Sequence, residues 1–295
     1  MGEDWRVKLF CFGLGYSAEV LARRLAAKGW SIAGTARDPI NLERFRGEGF
    51  EVCRFAGEPG NAELAAALAG TTHLLLSIPP GAGGEPVLHH YRDQIASLWT
   101  LDWIGYLSTV GVYGNHAGAV VDETTMPLPA NERTKARIVA ESGWLAFGAE
   151  IGRPVQVFRL AGIYGPGRSA LDKLLAGTAR RIVKPGQVFN RIHVEDIASV
   201  LEASIARPRA GAIYNVADDE PAPPEDVIAY GAELLGMEPP PEVPFEDANL
   251  SPMARSFYGD SRRISNALIK TELGVRLVYP TYREGLLALC AKAQT

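Results

Sequence analysis

Val7-Lys8-Leu9-Phe10-Cys11-Phe12-Gly13-Leu14-Gly15-Tyr16-Ser17-Ala18 is the stretch whose reading decides the fold of this chain. Its apolar run reads as a buried strand that stops at a glycine pair. Glu19 to Lys28 then carry apolar residues at helical spacing, and Gly29 closes them. Strand, tight glycine turn and helix make the first half of a dinucleotide-binding unit. Gly13 permits the sharp turn, and Gly15 lets the backbone approach a pyrophosphate. Ala18, in the slot of the third glycine, keeps the helix close to the strand. Tyr16, Ser17 and Ala18 open that helix, whose N–H groups and positive dipole end favour an anion.

Outward from this stretch, Trp30 to Arg37 reads as the second strand, and its end bears on the cofactor. An acid there accepts from a ribose 2′-OH, whereas an arginine accommodates a 2′-phosphate. The chain has Thr35 and Arg37, with Asp38 one place late, so the expectation is NADP(H) in preference to NAD(H). Phe50 to Phe55 reads as a third strand, Ala62 to Leu68 as a helix and Thr72 to Ile78 as a fourth strand. In a doubly wound sheet that fourth strand lies beside the first, so Ser77, Ile78 and Pro79 should border the adenosine half of a ligand. His73, opening a buried strand, is read as structural. Val87 to Leu98 reads as a helix and Trp103 to Thr109 as a fifth strand. Strands alternating with helices argue an α/β fold with a parallel sheet.

Composition agrees with a folded enzyme-sized chain and excludes several classes. The 295 residues suffice for one large domain or two lobes, and 47% hydrophobic with 22% charged residues is ordinary for a globular protein. A net charge of −4 gives no reason to expect a nucleic-acid partner. Cys11, Cys53 and Cys290 are scattered without metal-ligand spacing, so no metal is expected and the thiols read as buried and free. No basic-plus-apolar leader opens the sequence and no apolar run approaches membrane-spanning length, so the expectation is a cytoplasmic protein without a membrane partner.

Further along, Leu107-Ser108-Thr109-Val110-Gly111-Val112-Tyr113-Gly114 resembles the active-site strand of the extended short-chain dehydrogenase/reductases, the nucleotide-sugar epimerase and dehydratase group. Three later segments match the same family in order: Phe158 to Gly167, Arg191 to Ala198, and Ala212 to Asp218. The resemblance implies a Rossmann-type doubly wound parallel sheet with a smaller C-terminal substrate lobe. Residues 1–168, rejoined by 193–218, would form the nucleotide-binding domain; 169–192 and 219–295 would form mainly the substrate lobe. It also implies that Tyr164 and Pro166 border the cofactor, that Tyr164, Arg168 and Arg191 face a small-molecule substrate, and that the protein is a homodimer.

The family's chemistry rests on a Ser or Thr followed by a Tyr-x-x-x-Lys pair on the next long helix. Tyr passes the proton, and Lys lowers its pKa and holds the nicotinamide ribose. Counting back from Val112-Tyr113-Gly114 places the Ser/Thr at Thr109. The helix begins Asn131-Glu132-Arg133-Thr134-Lys135-Ala136-Arg137, and neither register supplies a phenol. With Glu141 aligned on the acid that follows the family's Lys, Arg133 takes the Tyr position and Arg137 the Lys position; sliding to use Lys135 puts Asn131 at the Tyr position. The first register keeps the apolar phase and is preferred. Arg137 would hold ribose hydroxyls, while Arg133, always protonated, would polarise a carbonyl or clamp an anion. Tyr113 and His116 are candidate replacement acids, among others that border the substrate in relatives. Arg159, Arg168, Arg180, Arg181, Lys184 and Arg191 would bracket the substrate and suit an anionic one. Two readings stay open: an atypical NADP(H)-dependent oxidoreductase or epimerase, and a catalytically silent NADP(H)-binding sensor or scaffold. An enzyme using the pocket for a nucleotide-sugar alone is a third.

Overall fold

The computed structural model describes residues 7–59, 62–81 and 83–293. In chain order the strands are β1 (Lys8–Phe12), β2 (Ser31–Ala36), β3 (Glu51–Arg54), β4 (His73–Leu76), β5 (Trp103–Thr109), β6 (Val120–Val121), β7 (Val155–Leu160), β8 (Gly162–Tyr164), β9 (Arg181–Val183), β10 (Arg191–His193), β11 (Ile213–Val216), β12 (Glu242–Pro244) and β13 (Arg263–Ile264). Seven of them form a parallel central sheet in the order β3-β2-β1-β4-β5-β7-β11. The strand order reverses between β1 and β4, which are directly paired from Leu9 with His73 to Phe12 with Leu76. This is the doubly wound Rossmann arrangement expected from the alternation of strands and helices, and the β1/β4 switch point is where such sheets bind ligands.

Five helices flank these strands in the first part of the chain: α1 (Tyr16–Ala27), α2 (Pro39–Gly47), α3 (Ala62–Leu68), α4 (Pro86–Ala96) and α5 (Glu132–Ile151). Their ends follow local chemistry. Asp38 caps α2 and Glu85 caps α4, each with proline in the first turn, where the missing N–H costs nothing. Asn131 and Thr134 form a reciprocal capping box on α5, and Gly152 ends it in the left-handed conformation. Phe10, Phe12, Leu74, Leu76, Ile104 and Tyr106 from the sheet meet Trp144 and Phe147 of α5 in one buried cluster.

The chain divides into two compact units. The first runs to Thr109 and takes in Asn131–Arg159 and Ala198–Tyr214; the second comprises Val110–Ala130, Leu160–Ile197 and the chain from Asn215. These limits differ from a division at residues 168, 193 and 218, for a reason visible in the pairing. β6 pairs with β13 and β8 with β10, so 110–130 and 160–168 are hydrogen-bonded to later segments. The second unit has its own core of Tyr164, Leu171, Ala222, Val227, Tyr282 and Leu286. Among the described residues no helix is long and apolar enough to cross a membrane.

Candidate functional site

The glycine turn is built as its sequence demands. Gly13 has φ +89°, a conformation that strains any other residue, and a Cβ on it would lie 3.0 Å from Ile78 Cγ1, which would have to give way. Gly15 is the N-cap residue of α1, and no side chain caps that helix. A Cβ on Gly15 would meet no protein atom within 4 Å. The glycine there leaves space that the protein itself does not fill, beside a helix N-terminus suited to a phosphate. Ser17 and Ala18 are buried in the first turn of α1.

The end of β2 separates three polar residues by role. Thr35 is fully buried, and its Oγ1 accepts from Gly13 N at 2.9 Å while its carbonyl accepts from Leu14 N at 2.7 Å. Thr35 therefore holds the glycine turn in shape. Asp38 accepts from Ile40 N at 3.0 Å as the cap of α2, and its other oxygen takes the Asn41 amide. Arg37 is exposed, and among the described residues it forms no ion pair.

These segments line one cavity of about 760 Å³, within the range of small-molecule sites. Gly13, Gly15, Thr35, Arg37, Ser77, Ile78 and Pro79, all expected at a cofactor from the sequence, border it. So do residues the sequence reading missed: Ala56 and Gly57 after β3, and His89 and His90 on α4. The signal for the histidines was available, because they sit in the first turns of the helix that follows the loop after β4.

At the end of β5 the polar groups are tied to one another. Thr109 is half-buried at the strand's last position, and Arg133 is exposed on α5. Arg137, one turn further on, donates from Nη1 to Leu107 O at 2.7 Å and lies 3.3 Å from Tyr106 Oη. The preferred register, with Arg137 at the Lys position, thus brings its guanidinium to the C-terminal end of β5. A further turn along, Glu141 accepts from Ser108 Oγ at 2.5 Å and pairs with Arg159 at 2.7 Å. Both side chains of that pair are only 4% exposed. Arg159, expected among the substrate-bracketing cations, is instead one half of a buried ion pair. The 20 residues of α5 include no tyrosine.

The second unit holds the remaining candidates. Tyr113 is fully buried and donates its hydroxyl to Asn215 Oδ1 at 2.8 Å, which removes it as a proton donor to a ligand. His116 lies in a loop pinned by the Ser261 carbonyl, which accepts from both His116 N and Gly118 N at 3.0 Å. That loop reads as flexible in the sequence; the structure ties it down. His116 Nε2 is buried without a hydrogen-bond partner. Tyr164 sits in the unit's core edge-on to His193, with its hydroxyl 3.3 Å from Thr281 O. Burial pushes its pKa well above the ordinary phenol value. Arg191 donates from Nη1 to the carbonyls of Phe189 and Ala222, at 2.9 and 3.1 Å, so one nitrogen of the guanidinium expected at a substrate is held by backbone acceptors. Pro166 and Arg168 are exposed in a tight turn closed by reciprocal Gly165 and Arg168 backbone bonds.

Comparison with known proteins places this geometry. The model of the NAD dependent epimerase/dehydratase family matches residues 95–217. A solved structure of a functionally unknown conserved protein from Silicibacter pomeroyi is 54% identical, with 98% of this chain and all of that one covered and a TM-score of 0.89. Protein YeeZ of Escherichia coli K12 is 29% identical over 285 residues, 92% of this chain and 96% of its own length. The fold is also that of MoeE5, solved with UDP-glucuronic acid and NAD, at 19% identity and TM-score 0.78 over 98% and 99% of the two chains.

Proposed function

Because the chain belongs to the NAD dependent epimerase/dehydratase family, we propose that it is an NAD(P)-dependent enzyme whose cavity takes NADP(H). On this reading it reduces, oxidises or epimerises a small polar, anionic substrate, for which a nucleotide-sugar of the kind bound to MoeE5 is the model. The observation that carries the cofactor half is Arg37. It lines the cavity at the end of β2 with no ion-pair partner among the described residues, while the neighbouring Asp38 caps α2. A free guanidinium beside a committed carboxylate favours a 2′-phosphate over a bare ribose hydroxyl.

The residues present fit such a cofactor. Gly13, Gly15 and the uncapped start of α1 would hold the pyrophosphate, and Arg37 the 2′-phosphate. When bound, the nicotinamide supplies a hydride acceptor or donor. Thr109 orients a substrate oxygen at the strand end, and Arg133 clamps its carboxylate or phosphate. Arg137, anchored on Leu107 O, fixes the end of β5 and keeps further donors for ribose hydroxyls.

A titration of NADPH and NADH against the wild type and Arg37→Ala tests the cofactor. The expected result is tighter NADPH binding, weakened about 10–30-fold in the variant, with NADH unchanged. Binding of neither nucleotide would sink the assignment. The absence of a tyrosine from α5 also favours a second reading, a silent NADP(H)-binding sensor or scaffold. Hydride exchange with any substrate eliminates it. A cytoplasmic homodimer goes with the first reading, and sedimentation of the purified protein tests its dimer.

A further inference from the structure

We propose that His90 reads the adenine base of the bound cofactor, its Nδ1 accepting from the 6-amino group. The inference rests on the cofactor reading above and adds a specificity-determining residue to it. The two fixed points of the cavity are the glycine turn, which marks the pyrophosphate, and Arg37, which marks the 2′ position of the ribose. The base then falls beyond the ribose, against the loop after β3 and the first turns of α4. Ala56, Gly57, His89 and His90 line the cavity there.

His90 Nε2 lies 3.0 Å from Gly57 O. A carbonyl oxygen only accepts, so Nε2 carries the hydrogen, and the neutral ring is left with Nδ1 as an acceptor. The ring also packs against a neighbour, and the loop that carries its acceptor lies against the start of α4. His89 packs on it edge-to-face with centroids 4.5 Å apart. Gly57, at φ +101°, brings the loop so close to α4 that a Cβ on it would lie 3.8 Å from Pro86 Cβ.

Of the other side-chain acceptors bordering the cavity, His89 stands exposed beside His90, and the rest already have donors or lie elsewhere in it. Asp38 and Asn41 are committed to the cap of α2 and to Arg44, and Thr35 to Gly13. Ser77 is fixed beside the glycine turn by its backbone bond to Phe12 O. An adenine presents two N–H donors at its 6-position and matches a bare imidazole nitrogen. A 6-oxo purine would set a carbonyl lone pair against the Nδ1 lone pair and is disfavoured.

The test compares dissociation constants of NADPH and its hypoxanthine analogue, in which an oxygen replaces the 6-amino group and N1 carries a hydrogen. Wild type is expected to prefer NADPH by about 10-fold, the effect of one hydrogen bond lost and one repulsion gained. His90→Phe, which keeps an aromatic ring without the nitrogens, should bring the two within about 2-fold, and His90→Gln, with an amide donor for Gly57 and an oxygen acceptor, should retain a preference for NADPH. Arg37→Ala should weaken both ligands by the same factor. Equal wild-type affinities overturn the proposal without recourse to any variant, and so does a wild-type preference that survives in a folded His90→Phe protein. If neither NADPH nor NADH binds the wild type, the cofactor reading itself fails, an outcome distinct from binding without base discrimination.

Discussion

The parallel sheet has two ends, and a histidine stands near each. At the N-terminal end of β4, His73 is 9% exposed, with its ring 4.7 Å from Trp30 and 6.3 Å from Trp103. Its Nδ1 lies 2.8 Å from Thr72 Oγ1, which in turn bonds the Lys8 backbone in both directions. Beyond the C-terminal ends, His90 borders a cavity, as does Arg37, which forms no ion pair among the described residues. The same contrast separates the two arginines, since Arg159 is closed against Glu141 within the protein. Polar groups at the closed positions complete the fold, whereas Arg37 and His90 border a cavity. Substitutions at closed positions should therefore register in stability, and substitutions at open ones in binding.

The largest effect is expected at the most closed pair. Glu141→Ala leaves the Arg159 charge buried and Ser108 without its acceptor, and should cost about 3–5 kcal/mol in urea denaturation. Replacing both partners with leucine should recover much of the loss, because no lone charge then remains. A single variant as stable as the wild type would mean the pair is not closed.

His73 supplies the next effect through pH. Burial holds its pKa down from 6.5 to about 4. Below pH 6.5 the unfolded chain takes up a proton that the folded chain refuses until about pH 4, so stability falls as pH drops through that window. The full depression is worth about 3 kcal/mol. Denaturation at pH 7.5 and pH 5 should show part of this loss in the wild type, and His73→Phe should flatten it.

Gly15→Val examines the open side. Because a Cβ there meets no protein atom within 4 Å, the stability cost should be that of a poorer N-cap residue, about 1 kcal/mol. Dinucleotide affinity should fall about 100-fold, since the branched side chain occupies the space where the phosphates approach. A large loss of stability would show that this space belongs to the fold.

These contrasts also explain what could be read from the chain alone. The glycine turn, the seven strands of the sheet (Val155–Leu160 and residues 213–217 through the family resemblance) and the place of β4 beside β1 were legible, because backbone geometry imposes residue types at fixed spacing: Gly13 for its φ, Leu9 to Phe12 for burial. Side-chain commitments were not legible. Arg37 and Arg159 are the same residue type in similarly apolar surroundings, and only the fold reveals that one meets Glu141 and the other a cavity. The short pairings of β6 with β13 and of β8 with β10 escaped notice because two- and three-residue strands carry no periodicity. The place of His90 on the helix after β4 was legible, but its bond to Gly57 O, 33 residues away, was not.

Thr35 lies where the two classes meet, closed in its own bonds yet bordering the cavity, and it sharpens the contrast with the smallest expected effect. Its Oγ1 satisfies Gly13 N, the first N–H of the turn. Thr35→Val keeps the shape and strands that donor, which should cost about 1–2 kcal/mol of stability. Because Gly13 shapes the phosphate approach, NADPH affinity should also fall, by about 3–10-fold and equally for NADH, since no 2′-phosphate contact is touched. Thr35→Ser, retaining the hydroxyl, should restore affinity. Loss of stability without loss of affinity would class Thr35 with Glu141 as purely structural. Loss of NADPH binding alone would instead place its hydroxyl on the 2′-phosphate and move it to the open side with Arg37.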